Sequence, residues 1–178
     1  MTKIAEKLTY LYNIHDHIFL TEKLFPVNIR LLVVSDSYKK LIQSCIDVIV
    51  DRLTTKYEDY PSPRGMSGAN CGIPFNIISY FKKDKSIVVM INPKIVEYST
   101  HKRIAASNCG SLRLKDSIDV ERSRDIEVSW YDIDGKKYKT KHGRDTQSST
   151  IQHEVDHNNG ITILDRQVRD YNNAHPCG

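Results

Sequence analysis

His153-Glu154-Val155-Asp156-His157 sets two imidazoles four residues apart, with a carboxylate directly after the first. On an α-helix that spacing puts both rings on one face, where they can grip one divalent metal ion while Glu154 stands beside the open coordination position. The layout is that of a metal-dependent hydrolase. Many zinc peptidases share it, and a charged, exposed helix can also carry these residues by accident. Gly160 is a natural helix stop, so the pattern predicts a helix that begins before His153 and ends near Gly160. The apolar alternation Ile161-Thr162-Ile163-Leu164 then reads as a short strand or edge.

A tetrahedral catalytic site needs a third protein ligand besides two histidines. Cysteine thiolate is a good candidate, and Cys109 lies in Ala106-Ser107-Asn108-Cys109-Gly110-Ser111-Leu112, whose small residues let backbone approach a metal closely. Taken alone, a cysteine in such a loop is more often structural than a ligand.

The rest of the chain must position these groups. With 178 residues it is expected to form one domain, 1–178, large enough to close a hydrophobic core without staples. Leu31-Leu32-Val33-Val34 reads as a strand. Ser37 is placed to cap a helix through Leu53 whose apolar residues Leu41, Cys45, Val48, Ile49 and Leu53 recur at helical spacing. Pro61 to Gly68 reads as a loop, Pro74 to Phe81 and Ile87 to Ile91 as strands, the second closed by Asn92-Pro93. Ile126, Val128 and Trp130 alternate with polar residues, and Asp134-Gly135 supplies a hairpin turn before Lys136 to Lys141. Strands therefore precede a single motif-bearing helix, which predicts an α+β fold with mostly antiparallel strands packed around that helix.

Composition narrows the setting. Lys and Arg number 26 against 22 Asp and Glu, a net charge of +4, and Lys136, Lys137, Lys139, Lys141 and Arg144 crowd one stretch. That excess could favour RNA or a ribosome surface, although a solvated basic loop is commoner. Cys45, Cys71, Cys109 and Cys177 are widely spaced and form no secreted disulfide framework, so a reducing compartment is expected. No apolar run is long enough to cross a bilayer and no signal segment opens the chain, so the expectation is a soluble, intracellular protein without a membrane partner.

Together these segments resemble the peptide deformylase family, whose motifs are Gly-Leu-Ala-Ala-x-Gln-x-Gly, Glu-Gly-Cys-Leu-Ser and Gln-His-Glu-x-Asp-His, in that order. The first is similar to Gly65-Met66-Ser67-Gly68-Ala69-Asn70-Cys71-Gly72, the second to Ser107-Asn108-Cys109-Gly110-Ser111, and the third is matched throughout by Gln152-His153-Glu154-Val155-Asp156-His157. The apolar run into Asn92-Pro93 and Arg122 ahead of Asp134-Gly135 also follow the family's spacing. The likeness covers roughly 37–166; residues 1–36 do not resemble the usual family beginning, and the short tail after Arg166 suggests the shorter, divergent members.

The resemblance implies that Cys109, His153 and His157 bind one divalent metal ion, Fe(2+) expected, with Zn(2+), Ni(2+) or Co(2+) able to occupy the site. Glu154 would act as general acid and base, and the formyl oxygen would be met by the Asn70 side chain and the Gly110 backbone N–H. Gly65, Met66 and Thr150 are candidates for substrate binding. The implied substrates are N-formylmethionyl peptides, in the cytoplasm or an organelle matrix, with transient ribosome contact and no direct DNA binding. A deformylase fold that binds metal or peptide without catalysis is the rival from another class. Three departures stand out: Asn70 for glutamine, Gly110 for leucine, and Ser107 for the glutamate expected to pair with Arg122, which leaves Glu121 or Asp125 as substitute acceptors.

Overall fold

A computed structural model describes residues 20–56, 63–112, 116–143 and 146–168. Arg144, Cys177 and the first two residues of the stretch from Pro61 to Gly68 lie outside them. The described residues form a five-stranded antiparallel sheet in the order β1-β2-β3-β6-β7 and a separate two-stranded ladder, β4-β5. The strands are β1 Gly65–Ser67, β2 Ile77–Phe81, β3 Ile87–Tyr98, β4 Lys102–Ser107, β5 Ile118–Ser123, β6 Ile126–Tyr131 and β7 Lys137–His142. Among the described residues the α-helices α1 Ile29–Val34 and α2 Asp36–Thr54 precede the strands and α3 Thr146–Asn158 follows them.

Successive side chains of a strand point to opposite faces, and here both faces of the sheet are covered. Ile77 and Ile91 join Ile42, Ile46, Ile49 and Leu53 of α2 in one core cluster, whereas Ile78, Tyr80 and Met90 join Ile151 and Val155 of α3 in another. Ile77, Ile78, Ser79 and Tyr80 are consequently all buried, the mark of a strand between two layers. The α+β class with mostly antiparallel strands is the observed one, with a refinement: the motif helix lies on one face and α2 covers the other.

Several local expectations are corrected. Leu31 to Val34 is helical, because Asn28 caps α1 by accepting from the Leu31 N–H and overrides the β-branched pair. Ser35, not Ser37, caps α2. The buried stripe of α2 is Ile42, Ile46, Ile49 and Leu53, while Leu41 and Val48 are 50% and 45% exposed. Both stripes obey helical spacing, and docking on the sheet selects one. The stretch read as a loop contains β1, which pairs with β2 at Gly65↔Tyr80.

Asn92-Pro93 does not close β3. Asn92 takes a left-handed φ of 51°, the ladder shifts register between Ile91 and Lys94, and the strand continues to Tyr98. The Asn92 side chain replaces the missing pairing by accepting from the Val27 N–H and donating to the Val27 carbonyl, both at 2.8 Å. Past Gly160 (φ 73°) the chain forms turns rather than the expected strand; Thr162 to Asp165 is held by the Asp165 carboxylate accepting from the Thr162 N–H and hydroxyl. The Asp134-Gly135 turn does form, with Gly135 at φ 77°, and β7 places Lys137, Lys139 and Lys141 along an exposed sheet edge. Edge lysines oppose pairing with a second chain, and Lys139 is ion-paired with Glu127.

The choice of stripe on α2 is measurable. Ile42→Ala should destabilise the protein by about 2–5 kcal/mol in urea unfolding, and Leu41→Ala by about 0.5 kcal/mol; equal losses would place the inward face elsewhere.

Candidate metal centre

Helix α3 carries the site because it is held on two other sides. Ser148, Gln152 and Asp156 recur at i, i+4 and i+8 and face β5. The Gln152 amide accepts from the Ser123 N–H at 3.1 Å and donates to the Ser123 carbonyl at 2.8 Å, and the Ser148 hydroxyl donates to the same carbonyl. Asp156 is ion-paired with Arg122 of β5 and with Arg166, whose Nη2 lies 2.9 Å from Oδ1. A second face, Ile151 and Val155, packs on the sheet. Asn158, one residue past His157, donates to the Ile77 carbonyl at 3.0 Å and to the Asn76 side chain at 2.9 Å.

The remaining face presents Thr150, His153, Glu154 and His157. Cys109 arrives from the turn after β4, fully buried against Val120 and Ile163. Its Sγ stands 3.4 Å from His157 Nε2, which is 3.1 Å from His153 Nε2, and the three ligand atoms lie within 4.8 Å of one another. Ligands bonded at about 2.0–2.3 Å in a tetrahedron stand roughly 3.3–3.6 Å apart, so these donors fit one metal ion.

Electrostatics agree with that fit. Burial holds the His153 imidazole well below its usual range and brings His157 down to about 4, so both rings are neutral at neutral pH with lone pairs free for a cation. Burial pushes the Cys109 thiol up, against the pull of the Leu112 and Ser111 N–H groups and the Ser111 hydroxyl. Burial also raises Glu154 to about 8, opposed by the Ser67 hydroxyl and Arg122, and its Oε2 has no hydrogen-bond partner among the described residues. Without a cation every group here is driven toward its neutral form.

The other sequence-derived candidates divide. A Cβ on Gly65 would stand 2.6 Å from Thr150 Cγ2 and 2.8 Å from Glu154 Cγ, so Gly65, Thr150 and Glu154 are in contact and only glycine admits the close approach. Met66, the next residue of β1, points the other way into the α2 cluster and is 8% exposed; the strand's alternation removes it from the site. Asn70 lies on a 3-10 turn, Ala69–Cys71, with its side chain bonded to Ser67 and Ser111. Gly110 is exposed, and a Cβ there would meet nothing within 4 Å. Arg122 pairs through Nη1 with Asp156 rather than with Glu121 or Asp125, and its Nη2 has no partner among the described residues. Sequence reasoning missed Arg166, Ser67 and Ser111. Only the last two carried a signal, as hydroxyls within the aligned motifs.

The chain matches the polypeptide deformylase family over residues 22–173, so the likeness starts upstream of the 37–166 stretch and includes part of 1–36. It is similar to the peptide deformylase of Finegoldia magna, 28% identical over 133 residues that are 74% of this chain and 80% of that one. The peptide deformylase of a Synechocystis species is 30% identical over 141 residues, 77% and 70% of the two chains. Among solved structures, a ligand-bound class I type b peptide deformylase from Acinetobacter baumannii superposes with a TM-score of 0.66 at 25% identity, covering 83% of this chain and 92% of that one. A Plasmodium falciparum peptide deformylase gives 0.65 at 25% identity over 89% and 86%.

Replacing Asp156 tests the clamp on α3. Asp156→Asn leaves the buried Arg122 guanidinium without its counter-charge, and a loss of about 3–5 kcal/mol in urea unfolding is expected; a loss below 1 kcal/mol, by the same order-of-magnitude reasoning, would mean that the helix is held without this pair.

Proposed function

The chain belongs to the polypeptide deformylase family, and on that premise we propose that it removes the N-formyl group from nascent N-formylmethionyl peptides through Cys109, His153, His157, Glu154, Asn70 and Gly110. The observation that carries the reading is the convergence of the Cys109, His153 and His157 donor atoms beside a buried carboxylate, Glu154. Cys109, His153 and His157 would hold one divalent ion; a thiolate with two imidazoles suits ferrous iron and zinc alike, and the family resemblance favours Fe(2+). When bound, such an ion polarises the substrate carbonyl and acidifies a water molecule.

The chain's own residues do the rest. Glu154, held against Gly65 and Thr150, takes a proton as water oxygen bonds to the formyl carbon. It returns that proton to the amine nitrogen as the C–N bond breaks, leaving formate and a free N-terminus. A carboxyl whose surroundings raise its proton affinity is suited to both transfers. Negative charge developing on the formyl oxygen is met by an Asn70 side-chain N–H and the Gly110 backbone N–H. Gly110 brings no side chain to obstruct that donor. Thr150 and Gly65 would contribute to the wall that receives the substrate. The exposed lysines of β7, Lys137 and Lys141, offer the surface for transient contact with a ribosome. No helix among the described residues is long and apolar enough to cross a membrane, and the enzyme would work wherever formylated nascent chains are made.

The direct test is formate release from a formyl-Met peptide by anaerobically prepared, iron-loaded protein; metal-replete protein that releases none is not a deformylase. Glu154→Gln should retain metal and fold while losing about 10²–10⁴-fold in turnover, since an amide cannot accept the proton. Near-normal turnover would remove Glu154 from its role. Cys109→Ser should strip most of the metal on dialysis, read by elemental analysis, and full retention would exclude the thiol as a ligand.

A further inference from the structure

The Asn70 side chain is gripped at both ends by serine hydroxyls. Its Oδ1 accepts from the Ser67 N–H at 3.1 Å and from the Ser67 hydroxyl, and its Nδ2 donates to the Ser111 hydroxyl. The Asn70 backbone N–H returns to Ser67 Oγ at 3.3 Å, closing a small ring of bonds around the turn. Ser67 is fully buried, where a hydroxyl costs stability unless it is bonded. Ser111, two residues after Cys109, is also among the groups that oppose the upward push of burial on that thiol. A primary amide has two N–H groups, and with one given to Ser111 a single N–H is left to donate elsewhere.

We propose that Ser67 and Ser111 are positioning residues that clamp the shortened Asn70 amide and aim its remaining N–H at the formyl oxygen, an inference that rests on the deformylase reading above. Aligned against Gly-Leu-Ala-Ala-x-Gln, this chain has serine in place of the first alanine and asparagine in place of glutamine. One exchange adds a heavy atom and the other removes one, so the pair of side chains keeps its total size. The methylene missing from residue 70 reappears as a hydroxyl that bonds the amide instead of lengthening it. An oxyanion donor acts in proportion to how little it must reorganise, and a clamped amide cannot flip or swing.

The clamp is tested in the full-length, metal-loaded chain and, independently of turnover, in the metal-free protein. Ser67→Ala should lower kcat about tenfold with KM and metal content unchanged and only a small fall in thermal midpoint, the size expected for loss of one hydrogen bond to the donor. Adding Asn70→Gln to Ser67→Ala should bring kcat back to within about threefold of the starting chain, a difference of roughly half of that bond's worth. Asn70→Gln alone should be slow, because the longer amide meets the Ser67 hydroxyl. In the metal-free protein, NMR should show one Asn70 side-chain N–H exchanging with solvent more slowly than those of exposed Asn108, and Ser111→Ala should abolish the difference. The clamp is overturned by an unchanged kcat in Ser67→Ala, by a loss that Asn70→Gln does not recover, or by Asn70 protons that exchange as fast as those of Asn108. A chain that releases no formate yet protects the Asn70 N–H keeps the clamp and refutes the deformylase reading instead.

Discussion

The structure turns on the carboxylate of Asp156. It sits between His153 and His157 in sequence but faces the other way, toward Arg122 on β5 and Arg166 beyond the helix. A buried carboxylate between two guanidiniums fixes both the rotation of α3 about its axis and its depth against β5, because charge-assisted bonds of this kind are directional. Gln152 and Ser148, one and two turns earlier on the same face, lock onto Ser123 and oppose rolling of the helix. His153, Glu154 and His157 acquire their direction from residues that do no chemistry.

The same contacts bring in the third candidate ligand. Cys109 is 48 residues from His157 in sequence, and nothing local ties them together. It hangs on the β4-β5 ladder, whose register runs from Lys102↔Ser123 to Ser107↔Ile118. Since Arg122 and Ser123 of that ladder are the groups to which α3 is bound, docking the helix also sets the distance from sulfur to imidazole. Position of the thiol and orientation of the rings are one event.

Burial gives the assembled cluster its chemical bias. It pushes Glu154 and Cys109 toward their protonated forms and the two histidines toward theirs without a proton, so the site stores several groups whose charge or lone pairs lack a counterpart. A cation relieves that condition. Gly65 contributes by letting a strand come within contact of Glu154, which no residue with a Cβ would permit. Asn70, on the 3-10 turn after that strand, is bonded by hydroxyls on two separate segments.

Local spacing determined the pair of histidines with Glu154 on one helix face, the motif helix with its end near Gly160, the hairpin at Asp134-Gly135 and the alternation of β6, because each depends on geometry repeated within a few residues, whereas Cys109 entered only through the likeness to a family motif. Tertiary structure decided the rest. It chose Ile42 and Ile46 over Leu41 and Val48 on α2, two stripes that periodicity cannot rank because both satisfy it. It ran β3 through Asn92 by pairing that side chain with Val27, 65 residues away, whereas the Ile29–Val34 helix follows from the local Asn28 cap. It turned Met66 into the core and Gly65 toward Glu154, and it gave Arg122 an acceptor inside the metal motif instead of at a neighbouring position. A sequence states which groups can bind a proton, a metal or an amide, but which acceptor a buried arginine meets is settled by the docking of distant segments, since desolvation makes only the contacts formed on packing count.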